Sequence, residues 1–410
     1  MEELIVGVDI GSSKVCAIIG QVDKNGELQI IGIGYYPCNG VKKGIVVDID
    51  ETAFSIKKAV EQAERMANKN VTSIYLKIYG GLATIYRNNG VVAVSGDNRE
   101  ISKEDVERVI QAAKIIAIPS DKEIIDVIPL EYIVDGYGEI KDPVGMAGIR
   151  LEVDAAIVTG SVTAIQNMEK CVQNAGYELE GIIVGPLATS EAVLSKDEKE
   201  LGVALIDVGA GVTDICVFKY GNLIYSSMIA VGGGHITNDL SIGLKISFEE
   251  AENIKKKYGT LNKFSENDIE DIKISNLSGK GLATTNINEI ADIIEARVFE
   301  LLTLIYDKLK EAEILDEIST NIVITGGGLS FIKGNIDLTQ KIFNKSVRIG
   351  LPQSIGVSTP IYSAGVGIVK YIYKNKKFMY SIRESTKKER RTIKLGLFDK
   401  IKDLFSDFWA

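Results

Sequence analysis

Two short stretches place an aspartate, a glycine and small residues in the order that phosphate chemistry needs: Asp9-Ile10-Gly11-Ser12-Ser13-Lys14 and Asp207-Val208-Gly209-Ala210-Gly211-Val212-Thr213-Asp214. A phosphate chain takes many convergent N–H donors, and glycine at the point of closest approach lets a strand–turn–strand aim its amides inward. The aspartates repel phosphate, but they can hold a hydrated Mg2+ that bridges its oxygens, and Asp9, Asp207 and Asp214 are placed for that. A third cluster, Gly326-Gly327-Gly328, follows the apolar stretch Asn321–Thr325 and lets a flat base and ribose lie against the main chain. Any one of the three would also suit an ordinary turn. Together they point to a nucleoside phosphate and Mg2+ held between two turns.

The elements that must position these turns repeat. Leu4–Gln21 and Ala204–Lys219 share one layout, an apolar strand, an Asp-x-Gly turn and a second apolar strand. They lie about 200 residues apart, too far for a solenoid and suited to two duplicated lobes. Strand-like Glu27–Tyr36 and Val71–Ile78 flank a helical pattern over Glu51–Lys69, which makes the class α/β. Between Ala83 and Gly160 the pattern changes to an acid-capped helix, Ser102–Ile116, flanked by strands, and reads as an inserted subdomain. Helices are expected over Ser161–Ala175, Ala188–Leu194, Phe248–Lys257, Ile287–Ala312 and Ser363–Lys370, with a strand at Ile182–Val184. The polar stretch Asn262–Ser278 reads as a loop or a small hairpin.

The four cysteines, Cys16, Cys38, Cys171 and Cys216, are widely spaced without a Cys-x-x-Cys pair, which argues against a zinc site or a disulfide framework. The single histidine, His235, leaves no room for metal clusters with two histidines and reads as a packing or capping residue. No secretion signal or spanning run is evident, so a cytoplasmic location is expected. Residues 374–394 carry nine basic side chains against two glutamates, a local net of +7, which leaves about −16 for the rest of a chain whose total is −9. An acidic body disfavours nucleic acid as a partner.

Beyond that basic linker, Leu397, Phe398, Ile401, Leu404, Phe405, Phe408 and Trp409 fall on one stripe of a helix over 395–410, with charged and polar residues on the other side. Aromatic rings on such a stripe favour the water–lipid boundary, and the basic linker would draw anionic headgroups. One short helix is a weak anchor, so linked copies would bind far better than one.

The two turns and the glycine cluster, in this order, resemble the superfamily of actin, the heat-shock chaperone ATPases and the sugar kinases. The stretches DIGSSKVCAIIG (Asp9–Gly20), DPVGMAGIRLEVD (Asp142–Asp154), CVQNAGYELEGIIVGPLATSEAVL (Cys171–Leu194) and VRIGLPQSIG (Val347–Gly356) resemble the FtsA family of bacterial cell-division proteins. The resemblance covers residues 4 to 372, and the tail has the family's form. It implies an actin-like two-lobed ATPase fold with duplicated ribonuclease-H-like cores, subdomain 1A at 1–82 and 162–194, a 1C insert at 83–161, 2A at 195–230 and 305–373, and 2B at 231–304. It also implies ATP contacts from Gly11, Ser12, Ser13, Lys14, Gly209, Ala210, Gly211, Thr213, Gly233 and Gly326–Gly328, and from the helix AENIKKK through Glu252 and Lys255 or Lys256. The partners it implies are the C-terminal peptide of the tubulin-like FtsZ on 2B, further division proteins on 1C, other copies in a filament, and anionic lipids at the division site.

One departure bears on chemistry. Chaperone relatives carry an acidic residue before the proline of the first connecting segment, where Gly185 precedes Pro186 here. Tight binding with slow or conditional hydrolysis is therefore expected, because phosphoryl transfer also needs a positioned water. A small-molecule kinase would need a base and a sugar pocket, and a pilus adaptor of the PilM type would share the insert; the tail and the Asp142–Asp154 block favour FtsA.

Overall fold

The computed structural model describes residues 3–95, 98–265, 271–275 and 282–375. The tail reading, with Leu397, Phe398, Ile401, Leu404, Phe405, Phe408 and Trp409, lies outside the described residues, as does all but the start of the basic linker.

The repeat in the sequence is a repeat in the fold. One five-stranded sheet runs Leu28–Pro37, Lys14–Val22, Glu3–Ile10, Ser73–Ile78, Glu178–Val184, and the other runs Asn222–Ile229, Thr213–Lys219, Val203–Val208, Asn321–Thr325, Ser346–Ile349. In each, the first three strands form an antiparallel meander and the last two add in parallel. The near-continuous apolar runs follow from burial on both faces: Val8, Val15, Ala17, Ile18 and Ile19 in one sheet, and Ala204, Ile206, Val208, Ile215 and Val217 in the other, are shut off from water.

Helix Ile49–Ala67 covers the first meander. Its start is fixed by Asp48, whose side chain accepts from Glu51 N at 3.0 Å. The helix lies so close that a Cβ on Gly34 would collide with the carbonyl of Ala59. On the second sheet, Gly233–Leu244 and Ile287–Glu311 bury Ile236, Leu240, Ile290, Ile294, Val298 and Leu301 in one core with its strands.

The strands Ala83–Ala93, Arg150–Ser161, Lys122–Val134 and Tyr137–Ile140 form a further sheet in that order. Arg87–Ala117 and Val127–Ile157 make a compact unit of their own. Its helix Lys103–Ala113 starts at Ser102 in a capping box, and the buried Asp105 carboxylate also accepts from the Ser95 N–H and hydroxyl.

Several elements differ from the sequence reading. The helix expected at Ala188–Leu194 begins earlier, at Gly185, because Pro186 stands in its first turn, where the missing N–H costs nothing. The strand seen as Ile182–Val184 starts at Glu178, its polar beginning hiding it. Helices Gly233–Leu244 and Asn335–Phe343 went unread, the first because it opens on glycines and a histidine. The polar stretch after Asn262, read as a loop or a small hairpin, is of the second kind, its strand Asp271–Ser275 pairing antiparallel with Leu282–Asn286.

Candidate functional site

The two Asp-x-Gly turns are superposable in their hydrogen bonding. Gly11 N donates to Lys14 O at 3.0 Å, and Gly209 N donates to Val212 O at 2.9 Å. They face each other closely enough that a Cβ on Gly211 would stand 2.7 Å from Ser12 Oγ, a buried hydroxyl oxygen with no hydrogen-bond partner among the described residues. Lys14 packs its ammonium over the Tyr362 ring at 5.6 Å. Burial lowers its pKa, against the pull of Cys16 and Asp9.

Asp9, Asp207 and Asp214 lie at the bottom of this face, and Lys77 stands among them. Lys77 Nζ is 3.0 Å from Asp9 Oδ1 and 4.7 Å from the centre of the Tyr79 ring. Burial alone would lower the lysine's pKa, but the charges of Asp9, Tyr79, Asp207 and Asp214 carry it well above its ordinary value. Asp214 Oδ1 accepts the backbone N–H of Gly80 at 3.0 Å. Burial still pushes Asp214 up to about 7, and it raises Asp207 as well, despite the opposing charge of Lys77 on both. Tyr79 donates its hydroxyl to Ile10 O at 3.3 Å. One tetrapeptide, Lys77–Gly80, thus touches both copies of the repeat.

Glycines converge behind the second turn. Gly233 N and Gly234 N donate to the carbonyls of Gly209 and Ala210 at 2.9 and 2.8 Å, and Gly328 N donates to Val208 O at 2.8 Å. A Cβ on Gly233 would lie 2.5 Å from Gly328 Cα. Gly326 has φ +83°, and any side chain there would run into Asp207 Oδ1. Only Gly327 of the three is exposed. Thr213 is buried, its hydroxyl donating to Val231 O at 2.8 Å. His235 Nδ1 accepts Gly232 N at 3.1 Å and caps its helix, as expected.

The helix Phe248–Tyr258 contributes in two ways. Lys255 Nζ donates to Gly233 O at 3.0 Å and to Thr237 Oγ1 at 2.6 Å, and pairs with Glu252 at 2.6 Å, so this lysine fastens the two helices together. Lys256 is exposed and its charge reaches Lys14. Ser13 lies at the outer edge of the first turn. Among the described residues no three carboxylate, histidine or cysteine side chains stand together as a direct metal cage. The Ser12 oxygen without a partner among the described residues, the glycines Gly11, Gly209 and Gly211 in the turns, and the carboxylates beside them fit an anionic chain with a hydrated cation.

Lys77, Tyr79 and Gly80 were missed in the sequence. A signal existed, because Lys77 is the one charge in the apolar strand Ser73–Ile78.

The fold has known counterparts. The PilM-PilN type IV pilus biogenesis complex matches with a TM-score of 0.60 at 16% identity, over 89% of this chain and 97% of that one. MreB5 of Spiroplasma citri bound to ADP matches with a TM-score of 0.55 at 15% identity, over 92% and 99%. Two duplicated sheets, paired turns and an inserted domain define an actin-like ATPase fold. The family model "Cell division protein FtsA" matches residues 204–367, and "SHS2 domain inserted in FTSA" matches 80–159. The chain is 44% identical to the cell division protein FtsA of Bacillus subtilis (strain 168) over 375 residues, 91% of this chain and 84% of that protein. With FtsA of Borreliella burgdorferi it shares 38% over 412 residues, 99% of each. The chain belongs to the FtsA family of cell-division proteins.

Proposed function

We propose that this chain binds ATP with Mg2+ between its two turns, assembles into actin-like filaments, and tethers FtsZ polymers to the cytoplasmic face of the membrane at the division site. The observation that supports the nucleotide reading best is the pair of matching turns, facing each other across Ser12 and Gly211 with carboxylates behind them. Bound there, Mg2+ would neutralise the phosphate chain. Gly11, Ser12 and Gly209–Gly211 would donate to phosphate oxygens, Asp9, Asp207 and Asp214 would hold the metal's waters, and Gly327 would face the base. The place before Pro186 carries no acid, which fits slow hydrolysis.

Tethering would use Leu397–Trp409 on anionic lipid, 231–304 for the FtsZ peptide, and the insert for other division proteins. Polymerisation multiplies weak anchors, so ATP would set how many tails act together. Co-sedimentation with vesicles of anionic phospholipid tests the tether. The full chain should pellet with them, more strongly with ATP, and a chain ending at Thr386 should stay in the supernatant. Equal pelleting of both would remove the reading.

A further inference from the structure

We propose that Lys77 is the site's built-in counter-ion: its ammonium, held against Asp9 and facing the charges of Asp207 and Asp214, competes with a free divalent cation, so Mg2+ enters only in company with a phosphate chain. This rests on the nucleotide reading above and adds the order in which the ligands can come.

The charges of three carboxylates, Asp9, Asp207 and Asp214, all act on Lys77, and Asp214 and Lys77 are nearly closed to water. Carboxylates so placed draw any available cation. The chain supplies one from its own strand, with Lys77 Nζ at 3.0 Å from Asp9. Its position is over-determined. The Tyr79 ring lies 4.7 Å from the ammonium, and Tyr79 is itself anchored on Ile10 O. Gly185 leaves room for the aliphatic stem, since a Cβ there would stand 3.0 Å from Lys77 Cδ and 3.2 Å from Asp214 Oδ2. The missing acid before Pro186 and the placement of Lys77 are therefore two sides of one arrangement.

A divalent ion approaching this group alone meets a fixed ammonium a few ångströms away, and like charges at that range repel strongly in a dry site. A phosphate chain changes the balance. Its negative charge offsets that of the ammonium, so a divalent ion arriving with it meets far less repulsion beside the carboxylates. Lys14 does not fill the same role, because its ammonium lies over the Tyr362 ring.

Mn2+ can stand in for Mg2+ and be counted by electron paramagnetic resonance, beside calorimetry with Mg·ATP. Wild type should take up no Mn2+ below millimolar concentration without nucleotide and one with ATP. Lys77→Met should bind Mn2+ alone at least ten-fold more tightly than wild type, and Lys77→Arg should behave as wild type. Should Lys77→Met fail to fold, Lys77→Gln keeps a polar head in the same place without the charge and should show the same gain. Wild type that binds nucleotide-free Mn2+ as tightly as the Met variant overturns the counter-ion role and leaves the nucleotide reading intact. Wild type that binds no Mg·ATP overturns the nucleotide reading itself.

Discussion

The two halves of the repeat share a backbone and divide the charges. Across the first meander Asp9 pairs with Cys16, and across the second Asp207 pairs with Asp214 at the same register. Lys14 in the first turn corresponds to Val212 in the second. The first half therefore carries one acid, a neutral thiol pushed up to about 12 by burial, and two lysines. The second carries two acids, Asp214 buried and Asp207 half-buried, and Lys77, from the first, opposes the upward shift of both. Duplication supplied the geometry, and divergence made each half incomplete without the other.

Breaking the backbone half of this comparison should have the largest effect. Gly328→Val puts a side chain onto Val208 and the carbonyl of Gly209, so nucleotide affinity by calorimetry should fall at least 100-fold. Swapping the opposed residues comes next. Cys16→Asp buries a further carboxylate in the first half and should cost roughly 2–4 kcal/mol in urea unfolding. Asp214→Cys should instead spare stability and weaken binding of Mg·ATP about ten- to 100-fold.

The smallest effect sharpens how the second half is fastened. Glu198 accepts from Arg348 Nε at 2.8 Å and Nη2 at 2.7 Å, and from Asn321 and Ser195 N–H. Burial would raise this carboxyl, but those donors outweigh it and hold it down at about 2. A depressed folded pKa gives stability that is present above the unfolded value and lost as pH falls through the folded one. Glu198→Gln should thus cost about 1–2 kcal/mol at pH 7, and its gap from wild type should shrink between pH 4.5 and 2.

What the sequence carried of this was the local part. Asp-x-Gly followed by small residues is a contiguous signal, so both turns, the glycine cluster and the duplication are visible without coordinates. Residues 77–80 are different. As the one charge in an apolar strand Lys77 stands out, but its partner does not, because only the parallel pairing of Ser73–Ile78 with Glu3–Ile10 brings it to Asp9. The roles of Lys255 and Lys256 could not be divided for the same reason, since burial of one and exposure of the other depend on the helix Gly233–Leu244, which glycine concealed.

The claim that both turns grip one phosphate chain can be tested by calorimetric titration of ATP into wild type, Gly11→Val and Gly209→Val. A Cβ at either position meets its own turn's carbonyl at 3.0 or 3.1 Å, so the two changes are matched in strain. One site per chain in wild type, lost to a similar degree in each variant, is the predicted result. Undiminished ATP affinity in either variant would contradict it.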